Sequence, residues 1–284
     1  MIKFSKVSKN FKNNKVLKNI DLEISRGQRV ALVGSNGAGK TTLIRCLLGE
    51  YSSTGLVAID GQDPREFRQQ VLSKIGFVPQ LPPPLRMPVG QLVQFAASLC
   101  HSDKEHMNDV AEQLGFNARE FKYQPFVKLS GGQKQKLLIS IALGRDSELL
   151  VMDEPAANLD PDARHVLFEM LAEKQKTSAM LISSHRLDEV SSLVNRVVEM
   201  DQGKIVLDEN IADLDDMSRK LACSVSMLKV DQAFAKALSL WNFKTHGDDT
   251  LWEGVIAGPD RLKFLGMLSR YSALLSGINI SSID

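Results

Sequence analysis

The run Gly34-Ser35-Asn36-Gly37-Ala38-Gly39-Lys40-Thr41 constrains this chain more than any other stretch. It fits G-x-x-x-x-G-K-[ST], a loop whose glycines let the backbone curl until its N–H groups point inward at a polyphosphate. Lys40 adds a mobile positive charge for the β- and γ-phosphates, and Thr41 adds a hydroxyl for Mg²⁺. Ser35, Asn36, Gly37, Ala38, Gly39 and Thr42 complete the cradle. The flanks agree with that reading. Arg29–Val33 reads as a buried strand and Thr42–Leu48 as a helix, whose N-terminus adds partial positive charge to the site.

A second motif decides which kind of phosphate-loop protein this is. Leu129-Ser130-Gly131-Gly132-Gln133 precedes a helical pattern from Lys134 to Gly144. Serine and two glycines ahead of a helix make another anion-binding N-terminus, although such a run alone also reads as an ordinary cap. Here it stands just before Glu148-Leu149-Leu150-Val151-Met152-Asp153-Glu154-Pro155, an apolar strand ending in two carboxylates. In order and spacing the set resembles the ATP-binding cassette family, the ATPase subunits of ABC transporters. The resemblance covers residues 1 to about 210.

That resemblance implies roles for single residues. Asp153 stands on the Mg²⁺ side and Glu154 polarises the attacking water. Gln80, at the end of the strand Ile75–Gln80, ligates Mg²⁺ or holds water and reports on a membrane partner. His185, one strand later, contacts the γ-phosphate and keeps the water and Glu154 in line. Phe11 stands where the family has a tyrosine that stacks on adenine, so stacking survives without the hydroxyl; Val16 packs on the same ring. Ala157-Asn158-Leu159-Asp160 matches the dimer-contact loop, and Asp160 also reads as an N-cap ahead of Pro161. In the family, Ser130, Gly131, Gly132 and Gln133 contact the ATP held by a second subunit. The resemblance therefore implies a head-to-tail pair with two sandwiched ATP molecules, and a homodimer is the expectation.

The predicted fold is α/β: a P-loop NTPase cassette over residues 1–210 with an antiparallel β subdomain and a helical subdomain at about 81–130. Residues 211–284 form a small C-terminal regulatory or dimerisation domain. There the order is strand (Ser224–Lys229), helix capped by Asp231, two strands about Gly247-Asp248-Asp249, helix opened by Gly258-Pro259-Asp260, and strand (Ile278–Ile283). That β-α-β-β-α-β order suggests a ferredoxin-like unit. Leu262, Leu265, Leu268 and Leu275 are its expected inward residues.

With 35 Lys+Arg against 34 Asp+Glu, bulk charge gives no reason to expect a nucleic-acid partner. Cys46, Cys100 and Cys223 form no C-x-x-C pair and read as buried, reduced thiols of a cytosolic protein. No apolar run reaches the roughly 18 residues of a membrane span. The cassette is thus expected at the cytoplasmic face of the cell membrane, held there by polytopic permease subunits. The helical insert and small C-terminal domain look most similar to cassettes of ABC-2-type exporters, with copper-enzyme (nitrous-oxide-reductase) maturation cassettes as one candidate subtype. The alternative is a soluble cassette ATPase acting on ribosomes or DNA. Such proteins carry paired cassettes or a long coiled coil, and neither pattern occurs here.

Overall fold

A computed structural model of the chain describes residues 1–12, 14–174, 178–185, 187–210, 220–246, 249–257 and 260–283. Strands β1 (Ile2–Phe11) and β2 (Asn14–Ile24) form a long antiparallel hairpin. β3 (Arg29–Val33) leads through the glycine loop into α1 (Lys40–Leu47). β4 (Thr54–Ile59) returns to pair with β1, giving a three-stranded sheet in the order β2-β1-β4. The short α2 (Arg68–Leu72) follows β4.

The second sheet positions the site. β5 (Ile75–Val78), β6 (Leu149–Asp153), β7 (Ala179–Ser184), β8 (Arg196–Asp201) and β9 (Lys204–Asn210) join β3 in the order β5-β6-β7-β3-β8-β9. All neighbours run parallel except β9, which pairs antiparallel with β8 and was not foreseen from the sequence. Both faces of the central strands are covered, so β3, β6 and β7 are buried along nearly their whole length, whereas the edge strand β9 alternates exposed and half-buried residues. Val30 and Leu32 join Leu149, Val151 and Leu181 in a core against the antiparallel sheet and α1. Ala31 and Val33 join Leu150, Met152, Met180 and Ile182 in the core on the other face.

Between β5 and β6 lie α3 (Val89–Cys100), α4 (Lys104–Gln113) and α5 (Gly131–Leu143), with a separate core that includes Val89, Met107, Phe116, Phe126 and Leu137. After β6 come α6 (Pro161–Lys174) and the short α7 (Leu187–Val190).

The C-terminal segment contains β10 (Lys220–Met227), α8 (Gln232–Leu240), β11 (Lys244–His246), β12 (Leu251–Ala257), α9 (Arg261–Ser269) and β13 (Leu275–Ile283). Its antiparallel sheet has the order β11-β12-β10-β13. That strand order, with one helix in each crossover, matches the expected β-α-β-β-α-β unit. Asp231 caps α8 by accepting from Phe234 N–H at 2.9 Å. Leu265 and Leu268 are buried beside Phe264, whereas Leu275 starts β13 and is half-buried. The Leu262 side chain, the turn at Gly247-Asp248, the helix opening at Gly258-Pro259 and the junction at 211–219 lie outside the described residues. The segment shares one continuous apolar core with the large sheet: Cys223, Val225, Phe234 and Phe264 belong to the cluster of Leu187, Val190 and Leu193. Cys46 and Cys223 are buried thiols, but Cys100 is only half-buried. Among the described residues no helix is long and apolar enough to cross a membrane.

Candidate functional site

The carboxyl ends of β3, β6 and β7 lie side by side, and the loops leaving them build the site, as expected for an open parallel sheet. After β3, the glycine loop lines a cleft of about 410 Å³. Ser35, Asn36, Gly37, Ala38, Gly39, Lys40, Thr41 and Thr42 all face it, together with Val16, Gln80 and Glu154. Lys40 is only 5% exposed; its Nζ donates to Gly34 O at 2.6 Å and Ser35 O at 3.2 Å, and lies 3.9 Å from Glu154 Oε1. Burial depresses the Lys40 pKa, while Glu154 and Asp153 act in the opposite direction. A bound polyanion would give this desolvated ammonium a full counter-charge.

The loop is braced from a distant part of the chain. The turn between β8 and β9 brings Gly203 N–H to Ala38 O at 2.9 Å, and Gly203 O accepts from Lys18 N–H at 2.8 Å. Gly203 has φ +79, and a Cβ there would collide with Val16 O. Gly34 is constrained likewise, since a Cβ would run into Met200 O. The brace was not legible locally, because a Gln-Gly pair between strands signals a turn and nothing more.

Asp153 closes β6 and is 2% exposed. Its Oδ1 accepts from Ser183 Oγ at 2.6 Å, a short bond to a carboxylate acceptor. Glu154 follows in the left-handed region at φ 49, with its N–H held by Ser183 Oγ at 3.0 Å and Ser183 O at 3.2 Å. One buried serine on β7 therefore fixes both acids, and sequence reading had passed over it. The turn aims Glu154 into the phosphate-loop cleft while its other oxygen, Oε2, lies 3.1 Å from His185 Nδ1. His185 is 51% exposed at its side chain and lines a second cleft of about 220 Å³ on the far side of Glu154. The expected hold of His185 on Glu154 is present; a place for the imidazole in the lining of the phosphate cleft is not.

Ser130 caps α5 in a reciprocal box. Its Oγ accepts from Gln133 N–H at 3.2 Å, and Gln133 Oε1 accepts from Ser130 N–H at 3.0 Å. The box leaves the N–H groups of Gly131 and Gly132 at the exposed helix end, where no intrahelical partner exists. None of residues 130–133 lines the phosphate-loop cleft. The helix is instead stitched to the loop after Glu154. Buried Gln135 donates from Nε2 to Pro155 O at 3.1 Å, and Lys136 pairs with Asp160 at 2.7 Å, holding the Asp160 pKa down. Asp160 also caps α6 through Ala163 N–H at 2.8 Å.

Two residues paired by the sequence reading are separated. Val16 lines the cleft, but Phe11 does not. Phe11 is 40% exposed and meets Tyr51 edge-on at 5.2 Å, with Lys9 Nζ 4.8 Å from its ring centre. The ring contact across Tyr51 has no local sequence signal.

Comparisons with known proteins agree with this geometry. A family model described as ABC transporter matches residues 17–157. The Nod factor export ATP-binding protein I of Cupriavidus metallidurans is 32% identical over 233 residues, which is 79% of this chain and 75% of that protein. The glutamine transport ATP-binding protein GlnQ of Escherichia coli is 31% identical over 223 residues, 74% of this chain and 91% of that protein. Among solved structures, the dimeric post-hydrolysis state of the ATP-binding cassette MJ0796 bound to ADP and Pi matches with a TM-score of 0.66 at 22% identity. That match covers 74% of this chain and 98% of the other.

Proposed function

The chain belongs to the ABC transporter family of ATP-binding cassettes, and we propose that within it the chain is the ATP-hydrolysing subunit of an ABC-2-type exporter. Membership makes it an ATPase of a transporter. The export assignment is supported by the compact helical segment over residues 81–130 and by the small C-terminal unit over 211–284, read as regulatory or dimer-stabilising. The similarity to an export protein of Cupriavidus metallidurans is in keeping with it, while GlnQ carries a transport name without that direction.

The observation that carries the reading is the position of Glu154. It forms a wall of the phosphate cleft, 3.9 Å from Lys40, and is held from behind by Ser183 and His185. A carboxylate fixed there orients and polarises a water beside a terminal phosphate, while Lys40 and the loop N–H groups draw negative charge toward themselves. Thr41, Gln80 and Asp153 offer hydroxyl, amide and carboxylate oxygens, a donor set suited to Mg²⁺. No cluster of three or more His, Cys, Asp or Glu exists among the described residues, so the phosphates themselves would complete that ion's shell. The ion would supply charge neutralisation. Val16, in the wall of the cleft, would pack on the adenine face.

The Gly131 and Gly132 N–H groups, which have no intrahelical partner, point to a second copy, whose ATP they would complete in a head-to-tail homodimer. Polytopic permease subunits would hold the pair at the cytoplasmic face of the membrane. Glu154→Gln tests the reading: Mg-ATP affinity should persist, turnover should fall at least about a hundredfold, and an ATP-bound dimer should accumulate on size-exclusion chromatography. Hydrolysis at the wild-type rate would overturn it.

A further inference from the structure

A cavity of about 310 Å³ lies between the β8–β9 hairpin and the start of β13. It shares no lining residue with either cleft described above. Glu199, Asp201 and Leu207 line it from the hairpin, and Ser272, Leu275 and Ile278 from the C-terminal unit. Glu199 is 3% exposed, and its Oε1 has no hydrogen-bond partner among the described residues. Burial, and then the charge of Asp201, push the Glu199 carboxyl up to about 7. Buried carboxylates are ordinarily paired, because an uncompensated charge away from water is costly. Here the unpaired oxygen belongs to a residue that lines a cavity, where a cationic group could meet it.

The lining selects the ligand chemistry. Among the described residues no lysine or arginine lines it, so an anion or a zwitterion would meet two carboxylates and no cation there. A divalent cation is poorly served, since no group of three or more His, Cys, Asp or Glu is gathered among the described residues and much of the wall is aliphatic. An organic cation fits each part: charge against Glu199 and Asp201, N–H groups toward serine hydroxyls, hydrocarbon against Leu207, Leu275 and Ile278. We propose that this cavity binds a small organic ammonium ion, with Glu199 as its counter-ion.

The site is wired to the phosphate loop. Glu199 sits beside Val33 in the β3–β8 register, Met200 O abuts Gly34, and Gly203 holds Ala38. A ligand there clamps the C-terminal unit to the hairpin that braces the loop. This goes beyond the ATPase reading and does not depend on it.

Calorimetric titration of the full chain with 2-phenylethylammonium, at about pH 8, tests the proposal, with 2-phenylethanol as the neutral isostere and Mg²⁺ and Ca²⁺ as alternative occupants. The amine should bind saturably, and the alcohol about tenfold or more weaker. Glu199→Gln should weaken the amine by a similar factor while leaving the melting temperature unchanged or higher, since it removes a buried charge and keeps the shape. Gly277→Leu, at a lining position where a Cβ would meet no atom within 4 Å, should weaken it by filling space. Equal binding of alcohol and amine, or an amine affinity insensitive to Glu199→Gln, overturns the ionic assignment. Glu199-dependent binding of Mg²⁺ or Ca²⁺, or no binding of the amine at millimolar concentration, overturns the proposal altogether.

Discussion

Replacing Ser183 by Ala removes one oxygen from the centre of the large sheet and exposes how the two acids are held. The Ser183 hydroxyl donates to Asp153 at 2.6 Å and accepts from Glu154 N–H at 3.0 Å. The first bond goes to a buried carboxylate, a class worth about 1.5–3 kcal/mol. The second matters less than the usual ~1 kcal/mol, because the same N–H reaches Ser183 O. Alanine fills nearly the same space, so no large cavity opens. The net loss is about 2 kcal/mol, which for a unit of this size lowers Tm by about 4–8 °C. Freed of its donor, Asp153 also loses orientation, and the Mg²⁺ concentration for half-maximal hydrolysis should rise about tenfold, as when a partner behind a metal ligand is removed. Scanning calorimetry reads the first effect and steady-state hydrolysis against Mg²⁺ reads the second. A Tm within about 1 °C of wild type and an unchanged Mg²⁺ dependence would refute the argument. A fall in Tm alone would reduce Ser183 to a structural residue.

Lys40→Ala removes the buried cation of the cleft and should weaken Mg-ATP by about tenfold to a hundredfold in calorimetry. Gly203→Val places a side chain against Val16 O at a positive φ, so it should lower Tm and raise the nucleotide Kd together, measured by melting with and without ATP. Glu199 makes stability depend on pH. Its carboxyl is raised from the ordinary 4.5 to about 7, so between those values the folded chain keeps a proton that the unfolded chain has lost. Raising pH through that window therefore destabilises the fold, by about 3 kcal/mol in all, complete above pH 7. Glu199→Gln should flatten that part of the profile in denaturant titrations across pH 4–8.

The parts of the site legible in sequence are those whose chemistry and backbone need sit in one short run. The glycine loop, the Ser130–Gln133 cap and the Asp153-Glu154 strand exit each carry their own local signal. So did the C-terminal strand and helix order, through Asp231 and the alternating apolar residues of β10. Ser183, Gly203 and Gln135 were missed because each acts on residues far away in the chain, where only tertiary pairing reveals the partner. Ser183 looked like one more residue of an apolar strand. Phe11 was misplaced for a related reason: its edge contact with Tyr51 crosses from the first hairpin to the segment after α1. Glu199 carried no motif, and its isolation is a property of the packed fold.

The placement of β3 between β7 and β8 governs how the protein can be made. The phosphate loop leaves the ribosome long before its supports, because the strand that carries it has no neighbour in its sheet until β7 and β8 are made. Arg29, for one, waits for Asn195, 166 positions later. Until then Val30 to Val33 form an apolar strand with both edges open, a state prone to wrong pairing. Nucleotide cannot rescue the nascent chain, because the brace at Gly203 arrives later still. Synthesis speed through residues 34–203 and chaperone supply, rather than ATP level, should therefore set the yield of folded protein.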